Sequence, residues 1–419
     1  MVRPTCQKSE NWQTHSGRNV LTLLVLLSLF FVPTVHGAVR SAEKPQLLLL
    51  DAARLADVQA KAQAGDPAVK PLLAALQRDA EKALDLRPLS VMDKEVTPPS
   101  GDKHDYMSQA PYFWPDPSKP DGKPYIRKDG ERNPEISKIS DHENIFKVAN
   151  AVSTLGLAYY LTGREEYATK AAVLVRVWFL DSGTKMNPHL NFGQGIPGIN
   201  TGRGIGIIET RALPELLDGV NLIQHSKAWT AADQSGLRDW MRAYVKWLTD
   251  SPYGRDEGKN GNNHETWYEV QVASLAVWTG QQDLAKQTLE RGRETLAKEI
   301  QPDGKMPREL ERTNAWSYSA FNLQAFFALA TLGDRVGVDL WNYQTSDGRS
   351  LRKAVDFLVP FAAGEQKWSY EQISEFHANT LYPILRRAAV VWHEPKYRAL
   401  ATQVGGGNDR LELTMPTAN

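Results

Sequence analysis

The chain has 419 residues, 42% of them hydrophobic, with 49 basic side chains against 49 acidic ones and a formal net charge of +0. That length buries one large core or two modest ones. Neutrality argues against a nucleic-acid binder, yet it leaves room for a local basic groove, since a polyanion needs only a few Arg and Lys along a cleft.

The chain begins with Arg3, Lys8 and Arg18, then an apolar run of about thirteen residues over 20–32, then Pro33-Thr34-Val35-His36-Gly37-Ala38. A charged start, a short apolar stretch and small residues after it predict a secretory signal over 1–37, with the mature chain running from 38 to 419. A spanning helix needs about twenty apolar residues, so no membrane attachment is expected after cleavage. The single cysteine, Cys6, leaves with the signal, and the mature chain is expected to have neither disulfides nor thiolate chemistry. These features imply a periplasmic or secreted protein, expected as a monomer.

Beyond the signal, residues 51–58 and 69–86 space their apolar side chains at three and four, as helices do. Pro88, Pro98 and Pro99 end that pattern. Residues 100–140 form a long irregular stretch rich in Pro, Gly, Tyr and Asp, and its aromatics argue for an ordered, functional loop. From Asp141 on helices dominate: 144–162, then 165–180 after Gly163. The pattern Leu161-Thr162-Gly163-Arg164 returns at Trp278-Thr279-Gly280-Gln281, and Thr331-Leu332-Gly333-Asp334 reads as a third such turn. Each is a helix, a glycine cap and a returning helix. A further hairpin over 381–403 breaks at Glu394-Pro395, and the tail after Gly405 is expected to fray. Repeated αα-hairpins suggest a solenoid or a closed toroid.

Two polar segments stand out, each opening into a helix. The first is Gly258-Lys259-Asn260-Gly261-Asn262-Asn263-His264-Glu265-Thr266-Trp267-Tyr268, which sets amides and an imidazole at a helix mouth, a place suited to an anion. An Asn cap followed by a surface His is the plainer reading of the same residues. About fifty residues on comes Arg308-Glu309-Leu310-Glu311-Arg312-Thr313-Asn314-Ala315-Trp316-Ser317-Tyr318. Together the two segments resemble the alginate-lyase superfamily of polysaccharide lyases, nearest to polysaccharide lyase family 38, over roughly 102–370. The resemblance implies an all-α fold, an incomplete (α/α) toroid of αα-hairpins, with the stretch 100–140 lying across the cleft as a long loop.

It also implies a reaction. Lytic cleavage of a β-1,4-linked polyuronate removes the C5 proton and expels the C4 oxygen, so the enzyme must neutralise the neighbouring carboxylate, supply a base and protonate the leaving oxygen. The family's Asn-His, Arg and Tyr carry over onto Asn263, His264, Arg312 and Tyr318. Asn263 is expected to donate its amide to the carboxylate and Arg312 to offer its fork. Tyr318 is expected to have a lowered pKa beside Arg and His⁺. In mannuronate and glucuronate the C5 proton and C4 oxygen share one side, so Tyr318 serves as base and acid with His264 assisting. In guluronate they lie on opposite sides, and His264 would be the base.

Candidate substrate-binding residues are Tyr112, Trp114 and Tyr125 by stacking, with pinning of the loop as the competing role. His104, Arg127, Asn200 and Arg203 join them as polar contacts, the last with Glu209 as its expected ion-pair partner. Tyr268 and Arg308 come from the two motifs, and Tyr268 competes with Tyr318 for the catalytic phenol. The histidines show no metal-ligand spacing, so neither metal nor cofactor is expected. Two other readings remain: a glycoside hydrolase using Glu265, Glu269, Glu309 or Glu311, and a non-catalytic polyuronate-binding protein.

Overall fold

A computed structural model of the protein describes residues 46–405 and 409–415; the expected signal and Cys6 lie outside them. The helices are α1 (Ala52–Gln63), α2 (Val69–Leu84), α3 (Asp141–Thr162), α4 (Glu165–Val175), α5 (Leu213–Leu222), α6 (Ala231–Asp250), α7 (Pro252–Glu257), α8 (Asn263–Thr279), α9 (Gln282–Glu299), α10 (Pro307–Leu310), α11 (Ala315–Val336), α12 (Leu351–Ala362), α13 (Tyr382–Trp392), α14 (Pro395–Val404) and α15 (Asp409–Thr414). The short strands are β1 (Met107–Gln109), β2 (Phe113–Trp114), β3 (Ile126–Arg127) and β4 (Phe192–Gly195).

The fold is an (α/α) toroid. Its inner helices contact one another in the order α3, α5, α8, α11, α13, while α4, α6, α9 and α14 pack outside them. Burial follows this division. The inner helices α8 and α11 bury residues all round, as helices enclosed on every side do, whereas α6 and α9 keep a polar outer face. Inner helices α3 and α5 approach through Gly156 and Gly219, where a Cβ on Gly156 would sit 2.3 Å from the Gly219 carbonyl. Any larger residue at either position would push the two apart.

Gly163 and Gly280 cap their helices in the left-handed conformation, as the repeated pattern predicts. The third turn is different. Gly333 lies inside α11, where its bare Cα admits the carbonyl of Val338, and the helix ends four residues later at the left-handed Gly337. The expected fray after Gly405 is also corrected, because α15 follows, buries Leu413 and packs on α1 and α2.

The long stretch before α3 is ordered by pairing and by one buried ion pair. Strand β1 runs parallel to β4 and β2 antiparallel to β3. Lys94 and Asp141 form a fully buried salt bridge of 3.0 Å, and Lys94 also donates to the carbonyls of Val91 and Lys103. Asp141 in turn accepts from the Met107 backbone. The start of α3 is thereby fixed to the loop, so that the next residue, His142, is placed by both.

Candidate active site

The N-terminal ends of α3, α5, α8 and α11 converge on one mouth of the toroid, where a cleft of about 730 Å³ opens. The loop supplies one edge of it with Pro111, Tyr112, Phe113, Arg127 and Arg132. Helix N-termini carry partial positive charge and unspent N–H groups, so this mouth favours an anion before any side chain is counted.

One wall is built by α8 and α11. Asn262 caps α8, its oxygen accepting the His264 N–H at 3.1 Å. The His264 ring lines the cleft and sets Nδ1 2.7 Å from the fully buried Glu257 carboxylate, which also takes the Asn260 amide at 2.6 Å. A carboxylate calls for a donor, so Nδ1 carries the hydrogen and Nε2 keeps its lone pair for the cleft. Residues 260–264 therefore form more than a cap with a surface His.

Asn263 departs from its expected role. Its backbone N–H bonds one Glu309 oxygen at 2.6 Å and its amide nitrogen reaches both, at 3.1 and 2.9 Å, leaving Oδ1 as a buried acceptor without a partner. Burial pushes the Glu309 carboxyl above its usual range against the pull of those hydrogen bonds. The amide nitrogen left for a substrate carboxylate is that of Asn262, which lines the cleft and spends only its oxygen on the cap.

Arg312 departs as well. Its Nε and Nη2 bond the Asp129 carboxylate at 3.0 and 2.8 Å, so the expected fork is spent on the loop. Burial opposes ionisation of Asp129, but Arg312, Arg127 and the Thr313 N–H hold its carboxyl down to about 2. So clamped, the Arg312 guanidinium lies 3.6 Å above the Tyr318 ring, and the Tyr318 hydroxyl meets that of Tyr112 at 2.8 Å. The expected lowering of the Tyr318 pKa does not occur. Burial pushes the phenol well up, and Tyr112 and Asp129 add to it, against a smaller opposing pull from Arg312.

The facing wall comes from the loop, α3 and the segment before α5. Arg203 lines the cleft, stacked 5.2 Å over Phe113 and held by the oxygen and side-chain carbonyl of Gln194 at 3.2 and 2.9 Å. Gln194 itself has a positive φ of 50°, a strained backbone for a non-glycine residue. Burial brings the Arg203 pKa down to about 10, which leaves it charged. Arg211 lies between Phe146 and Phe321, 4.4 and 5.4 Å from their centroids, bonded to the Ile208 carbonyl at 3.1 Å. Glu209 is not the partner of Arg203. It accepts from Tyr106 and Ser108 at 2.7 and 2.6 Å through one oxygen and faces His142 Nδ1 at 3.2 Å with the other.

Of the candidates, the cleft thus gathers Tyr112, Arg127, Arg203, Asn263, His264, Arg312 and Tyr318. The others serve elsewhere. His104 bonds the Lys185 carbonyl, Trp114 the Glu131 carbonyl and Tyr125 the Glu135 carboxylate, so these three anchor the loop. Asn200 closes its own turn on Ile196. Tyr268 is buried with its hydroxyl on the Leu248 carbonyl, which removes it as a rival to Tyr318. Arg308 reaches the Asn260 carbonyl beside a separate pocket of about 280 Å³.

The hydrolase carboxylates fare no better. Glu265 bonds Lys298, Glu269 bonds Arg291, Glu309 holds Asn263, and Glu311 is exposed away from the cleft. Five arginines line the cleft against one carboxylate, Glu209. Sequence reading missed Asp129, Arg132, His142, Arg211, Glu257 and Asn262. Of these only Asn262, adjoining the Asn-His pair, carried a local signal.

A family model described as Alginate lyase matches residues 90–368. Among solved structures, an alginate lyase from Bacteroides ovatus is 43% identical, with a TM-score of 0.85 over 88% of this chain and 99% of that one. An alginate lyase from Sphingomonas species A1 is 18% identical, with a TM-score of 0.52 over 85% and 93%. A Tyr-to-Phe variant of that enzyme, complexed with a tetrasaccharide, gives 17% and 0.53 over 84% and 89%. At those lower identities the likeness speaks for the fold alone. No curated protein matches the chain.

Proposed function

The chain belongs to the alginate lyase family and is a polysaccharide lyase, and from this premise we propose that it is exported and cleaves a β-1,4-linked polyuronate, alginate or glucuronan, by β-elimination. The observation that carries the reading is the composition of the cleft. It holds a half-buried phenol, an imidazole with a free Nε2 and five arginines, and its one carboxylate accepts from Tyr106 and Ser108 through one oxygen and faces His142 with the other. Elimination next to a carboxylate needs charge neutralisation and proton transfer, which this set supplies. Hydrolysis needs two working carboxylates flanking the bond. Export rests on the pattern over 1–37.

The residues divide the work as follows. Asn262 and the free edge of Arg312 take the carboxylate of the reacting sugar. Tyr318, set by the Arg312 stack and the Tyr112 hydroxyl, protonates the leaving O4. On guluronate His264 Nε2 takes the C5 proton and Glu257 stabilises the imidazolium. On mannuronate or glucuronate Tyr318 takes that proton itself and returns it to O4, with His264 assisting in neutralisation.

The test is the ultraviolet absorbance of unsaturated uronate ends while the mature protein acts separately on polymannuronate, polyguluronate and glucuronan. A rise on at least one polymer is expected, and the fastest names the substrate. New reducing ends without that absorbance would overturn elimination.

A further inference from the structure

A guanidinium withdrawn from water without a carboxylate costs free energy, and proteins keep such groups mainly where an anion is to be met. Arg211 is such a group, and Arg132, though exposed, shares its cleft. Both line the cleft, and among the described residues neither forms an ion pair with Asp or Glu, while Arg127 and Arg312 share Asp129. Arg211 is strongly desolvated, which lowers its pKa, and its plane is fixed between the Phe146 and Phe321 rings. Among the described residues its hydrogen bond uses Nη1, so the Nε and Nη2 edge, the fork that fits a carboxylate, is unspent.

Arg132 is placed by a relay. Glu209, saturated by Tyr106 and Ser108, faces His142 Nδ1 at 3.2 Å, and His142 Nε2 meets Arg132 Nη2 at 3.4 Å. A guanidinium only donates, so Nε2 is the acceptor and the neutral ring keeps its hydrogen on Nδ1, which lies near Glu209 but out of hydrogen-bond line with it.

Helix α11 gives the spacing. Asn314, Ser317, Tyr318, Phe321 and Gln324 lie on one face and all line the cleft. Phe321, on which Arg211 stacks, is nearly one turn past Tyr318, about 4.5 Å along the axis and on the scale of one sugar ring.

We propose that Arg132, His142 and Arg211 form a second carboxylate subsite, which takes the uronate adjoining the sugar that is cleaved, on the side away from the helix mouth. The inference rests on the polyuronate reading above and deepens it. Two carboxylates on consecutive sugars are gripped at once, so a polymer with neutral sugars alternating loses one grip.

The experiment compares Arg132→Gln and Arg211→Gln with the parent in steady-state kinetics on the polymer it cleaves fastest. Each variant is expected to raise KM by about tenfold or more, as the loss of a charge-assisted hydrogen bond does, while kcat stays within about twofold. A second arm measures polymannuronate and glucuronan binding by calorimetry with Tyr318→Phe alone and combined with Arg132→Gln. That arm reads the subsite even if β-elimination of these polymers is not observed, so the two failures are distinguishable. Arg132→Gln, which opens no gap between rings, covers the case in which Arg211→Gln fails to fold. Unchanged KM and unchanged binding with Arg132→Gln, or a fall in kcat at constant KM, overturns the subsite.

Discussion

The two walls of the cleft were written into the chain in different ways. The α8–α11 wall draws its chemistry from two contiguous segments, 257–264 and 309–318, so a motif can announce it. The facing wall assembles Arg132, His142, Arg203 and Arg211 from a loop, a helix start and a 3₁₀ turn, joined through residues as far apart as Tyr106 and Glu209. The lesson is that a site shows in sequence when its members share an element, and hides when tertiary contacts alone bring them together. Chemistry sits on the first wall and charge recognition on the second, which the following substitutions can break or sharpen.

The largest effect is expected from Tyr318→Phe, which removes the phenol that moves the proton. General acid–base groups contribute about 10²–10⁴-fold, and kcat should fall by that range with KM little changed. A fall in binding instead would move Tyr318 to the recognition wall. The parent enzyme carries a pH signature too. Because burial holds the Tyr318 phenol protonated, the phenolate needed as a base on mannuronate grows about tenfold per pH unit throughout the neutral and alkaline range. Activity on polymannuronate should therefore climb from pH 7 to 9, and a flat profile there would deny Tyr318 the base role. The Arg312 clamp does not distort this range. A carboxyl held down to about 2 contributes stability that is complete above its ordinary 3.8 and lost only as pH falls through about 2.

Next comes Glu257→Gln. The carboxylate that fixes the His264 tautomer becomes an amide, which can present either a donor or an acceptor to Nδ1. Activity on polyguluronate should drop by roughly 10²-fold, the low end for a general base, and activity on polymannuronate less. Equal losses on both polymers, with a lowered melting temperature, would show that Glu257 serves only the fold.

The division also explains how much could be read in advance. The αα-hairpins were legible because glycine caps and apolar spacing are local, and Gly163 and Gly280 behave accordingly. Gly333 misled because a glycine admitting the Val338 carbonyl inside a helix looks, in one dimension, like a glycine ending one. Asn263, His264, Arg312 and Tyr318 were placed in the cleft, but the partners of Asn263 and Arg312 were not foreseen. Glu309 and Asp129 decide which atoms remain free, and Asp129 lies 183 residues from Arg312. Loop aromatics were ambiguous from the start, and hydrogen bonding resolved them: Tyr112 reaches Tyr318, while Trp114 and Tyr125 reach only the loop.

The smallest expected effect falls on a residue inside the first motif. Tyr268 is five positions from Asn263, yet its side chain points into the core, where its hydroxyl donates to the Leu248 carbonyl at 3.0 Å and Gly258 packs against the ring. Tyr268→Phe keeps the ring and deletes one buried hydrogen bond, a loss of about 1 kcal/mol. The melting temperature should fall slightly, with kcat, KM and the pH profile unchanged on every polymer. A selective loss of kcat would mean that the phenol reaches the reacting sugar after all, which its burial and its bond to α6 argue against. Stability and activity thus separate at Tyr268, whereas at Tyr318, on the next inner helix, removal of the same hydroxyl should cost activity foremost, because only there does a phenol face the cleft beneath an arginine.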